Sequence, residues 1–241
     1  MPHYRHVCIT GTDRGIGLEL AIALLESGST VYAGGLVHPN PELERLAARY
    51  PNRLHASRLD VGSDDSVKAF AERLAALTPE LDLLINNAAL LGDTGSTVAD
   101  ALDFADMQRV YNVTALGAIR MANALLAPVM NGGKLIANIS SEAGSIGQSY
   151  RDAWFGYCMA KAALNMGSTI VHHKIRPDGG RVLLLHPGWV KTSMSGTWND
   201  AGTYTPREAA AQLLARIAER GGELRELPLY LEADTGRELP W

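Results

Sequence analysis

Short hydrophobic runs recur along the whole chain, and most of them are followed by a longer segment in which apolar and polar residues alternate with a helical period. Several runs are almost continuously apolar, which is typical of strands buried on both faces of a parallel sheet. Seven such strands are predicted, at Val7–Thr10, Thr30–Gly34, Arg53–Leu59, Leu81–Ile85, Lys134–Ile139, Arg181–His186 and Leu227–Leu231.

The segments between these strands carry apolar residues three or four positions apart, as amphipathic helices do. Asp100–Val129 predicts one extended helix, closed by Pro128 and the glycines that follow it. Other helices are predicted at Ile16–Ser27, Val67–Leu77, Ala153–Ile175 and Arg207–Glu219. This alternation predicts the α/β class, with a doubly wound parallel sheet of about seven strands and helices on both faces.

Domain organisation follows from the absence of interruptions in this pattern. The sequence contains no repeat, low-complexity tract or domain-scale linker, so residues 1–241 are predicted to form a single domain. The most loop-like stretch is Thr192–Tyr204, which is rich in Ser, Thr, Gly and Trp. We interpret residues 192–205 as a short substrate loop.

Composition excludes several classes of function. The chain has 241 residues, of which 46% are hydrophobic and 20% charged, and its formal net charge is −4. This balance argues against a nucleic-acid-binding or membrane-surface protein. No signal peptide or apolar stretch of membrane-spanning length is found, so we expect a cytoplasmic protein with reduced cysteines. His172 and His173 are adjacent on a helix and point to different faces, so no metal site is predicted.

A glycine-rich loop joins the first predicted strand to the first helix. Gly11 would permit a tight turn, Gly15 a close approach of the backbone to a pyrophosphate, and Gly17 close packing of helix on strand. The helix N-terminus would present free N–H groups to the anion. The position of these glycines predicts a dinucleotide-binding Rossmann fold, and a tight turn without a ligand is the alternative.

The end of the second strand bears on the choice of cofactor. An NAD site usually has an acidic residue there, but Val31–Leu36 contains no carboxylate. Arg14 could face a 2′-phosphate, while the side chain of Asp13 is expected to point away from the phosphates. NADP(H) is therefore favoured over NAD(H), unless Arg14 is an ordinary solvated arginine. The Gly34-Gly35 pair is expected to let the adenosine phosphate approach the backbone.

Tyr157 and Lys161 lie four residues apart in a predicted helix and so share one face. A phenol with a pKa near 10 exchanges protons poorly at neutral pH. A nearby ammonium group stabilises the phenolate and makes proton exchange with a substrate oxygen feasible. The pair is common on helices, so it gains meaning only from the motifs around it.

Those motifs are Asn86-Asn87-Ala88-Ala89 after the fourth strand, Leu59-Asp60-Val61, Ile139-Ser140-Ser141 and His186-Pro187-Gly188. With the glycine loop and the Tyr-x-x-x-Lys pair, they make the chain resemble the short-chain dehydrogenase/reductase family along essentially its whole length. The first loop, the segment around Trp189 and the Leu-Pro-Trp ending resemble the branch of sniffer-type carbonyl reductases and C-signal. Ala89 departs from the family, where glycine is commoner.

The resemblance implies a role for each matching residue. Tyr157 would be the general acid/base, and Lys161 would bind the nicotinamide ribose and tune Tyr157. Ser141 would hydrogen-bond the substrate carbonyl, Asn112 would hold a water for a proton relay, and Thr192 would reach the nicotinamide carboxamide. The implied catalytic residues are Asn112, Ser141, Tyr157 and Lys161.

Cofactor and substrate contacts are expected at the ends of the strands. The residues expected to contact the cofactor are Gly11, Asp13, Arg14, Gly15, Ile16, Gly17, Gly35, Leu36, Asp60, Val61, Asn87, Ala88, Ala89, Tyr157, Lys161, Pro187, Gly188, Val190 and Thr192. The substrate is expected to meet Ser141, Trp154, Tyr157, Trp189, Met194 and Trp198. The alternative for the large apolar residues is packing in the core or at a subunit contact.

These features predict an NADP(H)-dependent oxidoreductase that interconverts a carbonyl and an alcohol on a small molecule. The alternative is an NADP(H)-binding regulatory or signalling protein with little turnover. The resemblance also allows a homodimer or homotetramer in which the helix Ala153–Ile175 pairs with its counterpart.

Overall fold

A single parallel sheet forms the centre of the molecule. The computed structural model describes residues 4–241, and in that range seven strands pair in the order β3-β2-β1-β4-β5-β6-β7. Every neighbouring pair is parallel. The strands are β1 His6–Thr10, β2 Thr30–Gly35, β3 Leu54–Arg58, β4 Leu83–Asn86, β5 Leu135–Ile139, β6 Arg181–His186 and β7 Leu229–Glu232. The predicted doubly wound fold is confirmed.

Helices cover both faces of the sheet. They are α1 Gly15–Glu26, α2 Pro41–Arg49, α3 Asp64–Ala75, α4 Phe104–Tyr111, α5 Gly117–Ala124, α6 Leu126–Asn131, α7 Phe155–Ile175 and α8 Pro206–Arg220. Because side chains alternate along a strand, Val7 and Ile9 pack in one core with α1 and α8. Cys8 packs in a second core with α3, α5 and α6 on the opposite face.

The sequence pattern missed one helix and misplaced several strand ends. Helix α2 is nine residues long and buries only Leu43, which is too short and too polar to give a clear period. Its N-terminus is fixed by Asn40, whose side-chain oxygen accepts the N–H groups of Glu42 and Leu43. The third, fourth, fifth and seventh strands begin one or two residues later than predicted.

The prediction of one extended helix over Asp100–Val129 is wrong. The segment contains α4, a π-helical turn at Asn112–Leu116, then α5 and α6. In the π turn the N–H of Gly117 donates to the carbonyl of Asn112, five residues back. Pro128 has no N–H to donate to Ala124, and Leu125 leaves the helical conformation between α5 and α6.

The order of the strands in the sheet determines where the candidate site lies. The chain leaves β1 toward β2 on one side, while β4 pairs with β1 on the other. This reversal opens a crevice at the carboxyl ends of β1 and β4, where doubly wound folds bind their ligands. Among the described residues, no helix combines the length and apolar character needed to cross a membrane.

Candidate active site

The glycine loop between β1 and α1 adopts a backbone that requires glycine. Gly11 and Gly15 have φ angles of +70° and +59°, in the left-handed region that other residues rarely adopt. A Cβ added to Gly17 would lie 2.1 Å from the Gly11 carbonyl oxygen and 2.5 Å from the Asn87 amide nitrogen. Close packing of α1 on the loop therefore depends on Gly17.

The same loop fits the pyrophosphate of a dinucleotide. A Cβ built on Gly15 meets no heavy atom of the described residues within 4 Å, so the backbone is open on that side. Within residues 4–241, no side chain caps the N-terminus of α1, and its first turn carries no acidic residue. The Thr12 hydroxyl is buried and finds no hydrogen-bond partner in that part of the chain. A bound anion would accept hydrogen bonds from the free backbone N–H groups at the start of α1.

Asp13 turns toward the end of β2. Its carboxylate accepts the backbone N–H of Leu36 at 3.0 Å and of Val37 at 2.6 Å. A Cβ on Gly35 would lie 2.8 Å from this carboxylate, and one on Gly34 would lie 2.4 Å from Leu59. Gly34 and Gly35 thus pack against Leu59 and Asp13 of the protein itself, whereas the sequence pattern had linked them to the phosphate. Arg14 beside Asp13 is exposed.

Asn87 and Ala88 tie the end of β4 to the glycine loop. The Asn87 amide nitrogen donates to the carbonyl oxygens of Thr10 and Gly11 at 3.0 and 3.1 Å. The backbone N–H groups of Asn87 and Ala88 both donate to the Thr10 hydroxyl at 3.1 Å. The two residues expected to contact the adenosine side therefore already hold the loop in place.

The three residues proposed to act on the substrate converge at the carboxyl end of β5. Ser141 follows that strand, and Tyr157 and Lys161 come from the first turns of α7. The Lys161 ammonium nitrogen lies 5.5 Å from the centre of the Tyr157 ring and donates to the Ile139 carbonyl at 2.6 Å. The Ser141 hydroxyl is near enough to the Tyr157 phenol to lower the pKa of that phenol. This arrangement places a hydroxyl, a phenol and an amine around one point.

Burial has the largest effect on the pKa values of Tyr157 and Lys161. Burial raises the pKa of the Tyr157 phenol, and the nearby Ser141 hydroxyl opposes this rise only in part. Burial also lowers the pKa of Lys161 to about 7, against the charge of Glu142, which raises it. At neutral pH the Tyr157 phenol therefore carries its proton, while the Lys161 amine is near the midpoint of its titration.

Asn112 lies at the start of the π turn, and its polar atoms have protein partners. Its amide nitrogen donates to the Gly62 carbonyl at 2.9 Å, and its amide oxygen accepts from Arg120 at 2.8 Å. Its backbone carbonyl accepts both the Gly117 N–H and, at 3.2 Å, the Arg120 guanidinium. A water held by this residue would have to replace one of these contacts.

Residues that the motif analysis did not single out hold Ser141 in position. Glu142 accepts the Ser141 hydroxyl at 2.6 Å and forms an ion pair with Arg151. The buried Tyr230 on β7 donates its hydroxyl to the Ser141 carbonyl at 2.5 Å. Asn165 on α7 accepts the Ser140 hydroxyl at 2.6 Å. These partners lie far apart in sequence, so only Glu142, next to Ser141, could have been suspected.

The loops after β5 and β6 carry the residues expected to meet the substrate. Trp154 has a left-handed backbone, with φ of +67°, and its ring meets the Tyr157 ring edge-on at 6.0 Å. Trp189 and Trp198 are 58% and 57% exposed, whereas Met194 is half-buried. The Trp154 ring thus contacts Tyr157, while Trp189 and Trp198 are solvent-accessible.

The remaining expected cofactor contacts lie at or just after strand ends or at the start of α1. In the Pro-Gly turn after β6, a Cβ on Gly188 would lie 2.7 Å from the Tyr204 ring, so the turn requires glycine. Asp60 caps its own turn by accepting the Gly62 N–H at 2.9 Å. The other expected positions are Ile16 in the first turn of α1, Val61 after β3, Ala89 after β4, and Pro187, Val190 and Thr192 after β6.

Comparison with known proteins agrees with this geometry. A family model described as short chain dehydrogenase matches residues 5–202. The chain belongs to the short chain dehydrogenase family. It is therefore an oxidoreductase of that family.

Two curated bacterial relatives support the assignment. A 1-hydroxy-2-glutathionyl-2-methyl-3-butene dehydrogenase of Rhodococcus sp. (strain AD45) is 31% identical over 88% of this chain and 89% of its own. The C-signal protein of Myxococcus xanthus is 37% identical over 54% of this chain and 76% of its own. The second relative belongs to the branch that the sequence motifs predicted.

Solved structures match almost the entire chain. The carbonyl reductase Sniffer of D. melanogaster has a TM-score of 0.90, covering 99% of this chain and 100% of its own, at 24% identity. NADPH-bound carbonyl reductase from chicken fatty liver has a TM-score of 0.85 and 30% identity, covering 98% of this chain and 94% of its own. The likeness to Sniffer shows the shared fold, and the similarity to C-signal supports the predicted branch.

Proposed function

We propose that this protein is an NADP(H)-dependent oxidoreductase that interconverts a carbonyl and an alcohol on a small substrate, with Tyr157 as general acid/base. The observation that carries the proposal is the convergence of Ser141, Tyr157 and Lys161 beside the glycine loop. A protein that only binds a dinucleotide has no need of a phenol, a hydroxyl and a buried amine at that point.

Each of the three side chains has a distinct task. The nicotinamide, when bound, supplies or accepts the hydride. Tyr157 donates its proton to the carbonyl oxygen, the Ser141 hydroxyl orients that oxygen, and the Lys161 ammonium stabilises the phenolate that remains. Because burial raises the pKa of Tyr157, the phenol is protonated at neutral pH, which favours reduction of a carbonyl.

The preference for NADP(H) depends on two adjacent residues of the glycine loop. Arg14 is exposed and available to a 2′-phosphate, and the chicken relative of 30% identity was crystallised with NADPH. Asp13 places a carboxylate at the end of β2, which weakens that attraction. We expect Arg14→Gln to raise the Kd of NADPH about tenfold and to leave that of NADH within twofold.

Asp13→Asn is the matched variant for this cofactor test. The asparagine oxygen can still accept one N–H at the end of β2, but the negative charge is gone. NADPH binding should therefore tighten while NADH binding changes little, as measured by quenching of tryptophan fluorescence. A preference for NADH in the wild type, unaffected by Arg14→Gln, would contradict the assignment.

Trp154 is the residue that we expect to select the substrate. Its ring lies against Tyr157, whereas the half-exposed ring of Trp198 serves as a comparison. Trp154→Ala should raise the KM for aromatic carbonyls without lowering the melting temperature by more than a few degrees. Loss of thermal stability with an unchanged KM would mean that Trp154 is a packing residue.

The deciding experiment compares wild type with Tyr157→Phe. Both proteins should bind NADPH with the same Kd, because the phenol hydroxyl is not needed for binding. Only the wild type should oxidise NADPH on a panel of aliphatic and aromatic aldehydes and ketones. Turnover that survives in Tyr157→Phe would refute the mechanism, and tight binding without turnover in the wild type would favour a regulatory protein.

A further inference from the structure

The Leu-Pro-Trp segment, residues 239–241, has no task in the reaction proposed above. The chain turns back after β7, so that Glu238 lies antiparallel to Leu231 in an isolated bridge. The Leu239 N–H then donates to the Tyr230 carbonyl at 2.7 Å. Residues 239–241 are therefore tied to the edge strand β7, beside Tyr230.

The same segment covers the Tyr230 side chain. Leu239 is 5% exposed and shares a small buried cluster with Tyr230 and Leu164 of α7. The centre of the Trp241 ring lies 5.6 Å from the centre of the Tyr230 ring, with the two planes tilted by 44°. Tyr230 itself is 2% exposed. Close packing on two sides leaves this side chain few alternative rotamers.

The hydroxyl of Tyr230 reaches the backbone of the candidate active site. It donates to the Ser141 carbonyl at 2.5 Å, and the Gly144 N–H donates to the same oxygen at 2.9 Å. Both lone pairs of that carbonyl therefore have partners. Burial raises the pKa of Tyr230 to about 12, so the hydroxyl keeps its proton and remains a donor at neutral pH. A residue of β7 thus fixes a segment that follows β5, two strands away.

A second contact ties the far end of that segment to Trp241. The Gly147 N–H donates to the Trp241 backbone oxygen at 2.9 Å. A Cβ added to Gly147 would lie 3.1 Å from this oxygen and 3.6 Å from the Cβ of Pro240, so the two segments run close together. Residues 141–147 are therefore held at one end by Tyr230 and at the other by Trp241.

We propose that Tyr230 and Trp241 are positioning residues for the reaction, because they fix the backbone of residues 141–147 so that the Ser141 hydroxyl meets the substrate oxygen. This inference rests on the function proposed above. Both residues act through Ser141, and neither is assigned a contact with substrate or cofactor. A misplacement of about 1 Å can cost about 100-fold in rate. Loss of one of the two ties should therefore lower kcat about tenfold.

Tyr230→Phe is the direct test, because it removes the hydroxyl and leaves the ring. We expect kcat for carbonyl reduction to fall about tenfold, with the Kd of NADPH within twofold of the wild type. Tyr4→Phe is the matched control: its hydroxyl also donates to a backbone carbonyl, that of Ile217 at 3.3 Å, but Tyr4 precedes β1 at the opposite edge of the sheet. Its kcat should stay within twofold. An unchanged kcat in Tyr230→Phe would overturn the proposal for Tyr230.

A double-mutant cycle shows whether Tyr230 acts through Ser141. In the background of Ser141→Ala, Tyr230→Phe should lower the residual kcat by less than twofold, because the hydroxyl to be positioned is already gone. A further tenfold loss would mean that Tyr230 acts elsewhere, which would contradict the proposal.

Trp241 is tested by one disruptive and one conservative variant. Trp241→Ala should lower kcat about tenfold at an unchanged Kd of NADPH, and Trp241→Phe should restore kcat to within twofold, because an aromatic ring again packs against Tyr230. A wild-type kcat in Trp241→Ala would overturn the proposal for Trp241.

Hydrogen exchange tests the contacts without turnover. In the protein without cofactor, the amide groups of residues 141–147 should exchange at least tenfold faster in Trp241→Ala than in the wild type, and at the wild-type rate in Tyr4→Phe. Unchanged exchange in both Trp241→Ala and Tyr230→Phe would overturn the proposal even in an active enzyme. Faster exchange together with a wild type that lacks Tyr157-dependent turnover would instead refute the proposed reaction, and the positioning role with it, while leaving the contacts in place.

Discussion

Asn165 connects the helix that carries Tyr157 and Lys161 to the segment that carries Ser141. It is 3% exposed. Its amide oxygen accepts the Ser140 hydroxyl at 2.6 Å, and its amide nitrogen donates to the Gly144 carbonyl at 3.2 Å. The variant Asn165→Leu has a side chain of similar size that can form neither bond. We therefore predict a loss of both stability and activity.

The expected magnitude follows from the two groups left unpaired. Each buried donor or acceptor without a partner costs about 1–3 kcal/mol, so Asn165→Leu should lower the free energy of unfolding by about 2–6 kcal/mol. This is a large part of the about 5–15 kcal/mol that stabilises a typical domain. At a temperature where the variant is still folded, kcat should fall because Ser141 is less well fixed.

Urea denaturation followed by tryptophan fluorescence measures this loss. The control is Asn123→Leu on α5, where the asparagine is exposed, so the free energy should change by less than about 0.5 kcal/mol. Ser140→Ala should cost about 1–3 kcal/mol, because it leaves only the Asn165 oxygen without its donor. A loss below about 1 kcal/mol in Asn165→Leu would refute the reasoning.

Three further changes test the loop, the buried amine and the outer face of α7. Gly17→Ala should abolish NADPH binding, because the new Cβ would lie 2.1 Å from the Gly11 oxygen; an unchanged Kd by fluorescence titration would contradict this. Burial lowers the pKa of Lys161 from 10.5 to about 7, so the folded state binds fewer protons and stability should rise with pH across that window. Urea titrations should show a smaller rise for Lys161→Met. Met166→Glu should dissociate any dimer built on the exposed α7 face of Met159, Met166 and Ile170; sedimentation that remains dimeric would exclude this interface.

The sequence was most informative where function demands a special residue at a strand end. Gly11, Gly15 and Gly17 could be assigned because positive φ angles and close packing leave no alternative side chain. Tyr157 and Lys161 could be paired because a helix fixes the geometry of residues four apart. Such constraints act within a few residues, and a local pattern can record them.

Tertiary contacts decided what the pattern did not predict. The helix is interrupted at Asn112–Leu116, although the apolar residues there keep a helical period. The interruption depends on the hydrogen bond from the Gly117 N–H to the Asn112 carbonyl, five residues back, and on Arg120, which donates to the same carbonyl. The orientation of Asp13 depends on N–H groups that lie more than twenty residues away, just after β2. Helical spacing contains no information about either contact.

Ser141 shows within the candidate active site how local sequence constraints differ from tertiary contacts. Its identity follows from the motif, but its orientation depends on Glu142, on the Tyr230 hydroxyl from β7, and on the Ser140–Asn165 bond to α7. These contacts approach from three different elements and meet around one short segment. Glu142 accepts the Ser141 hydroxyl proton, so a residue beside the motif sets the orientation of the motif's serine. Variants of Glu142 should therefore change the direction in which the Ser141 hydroxyl donates, whereas variants of Tyr230 and Asn165 should change how firmly the site is held.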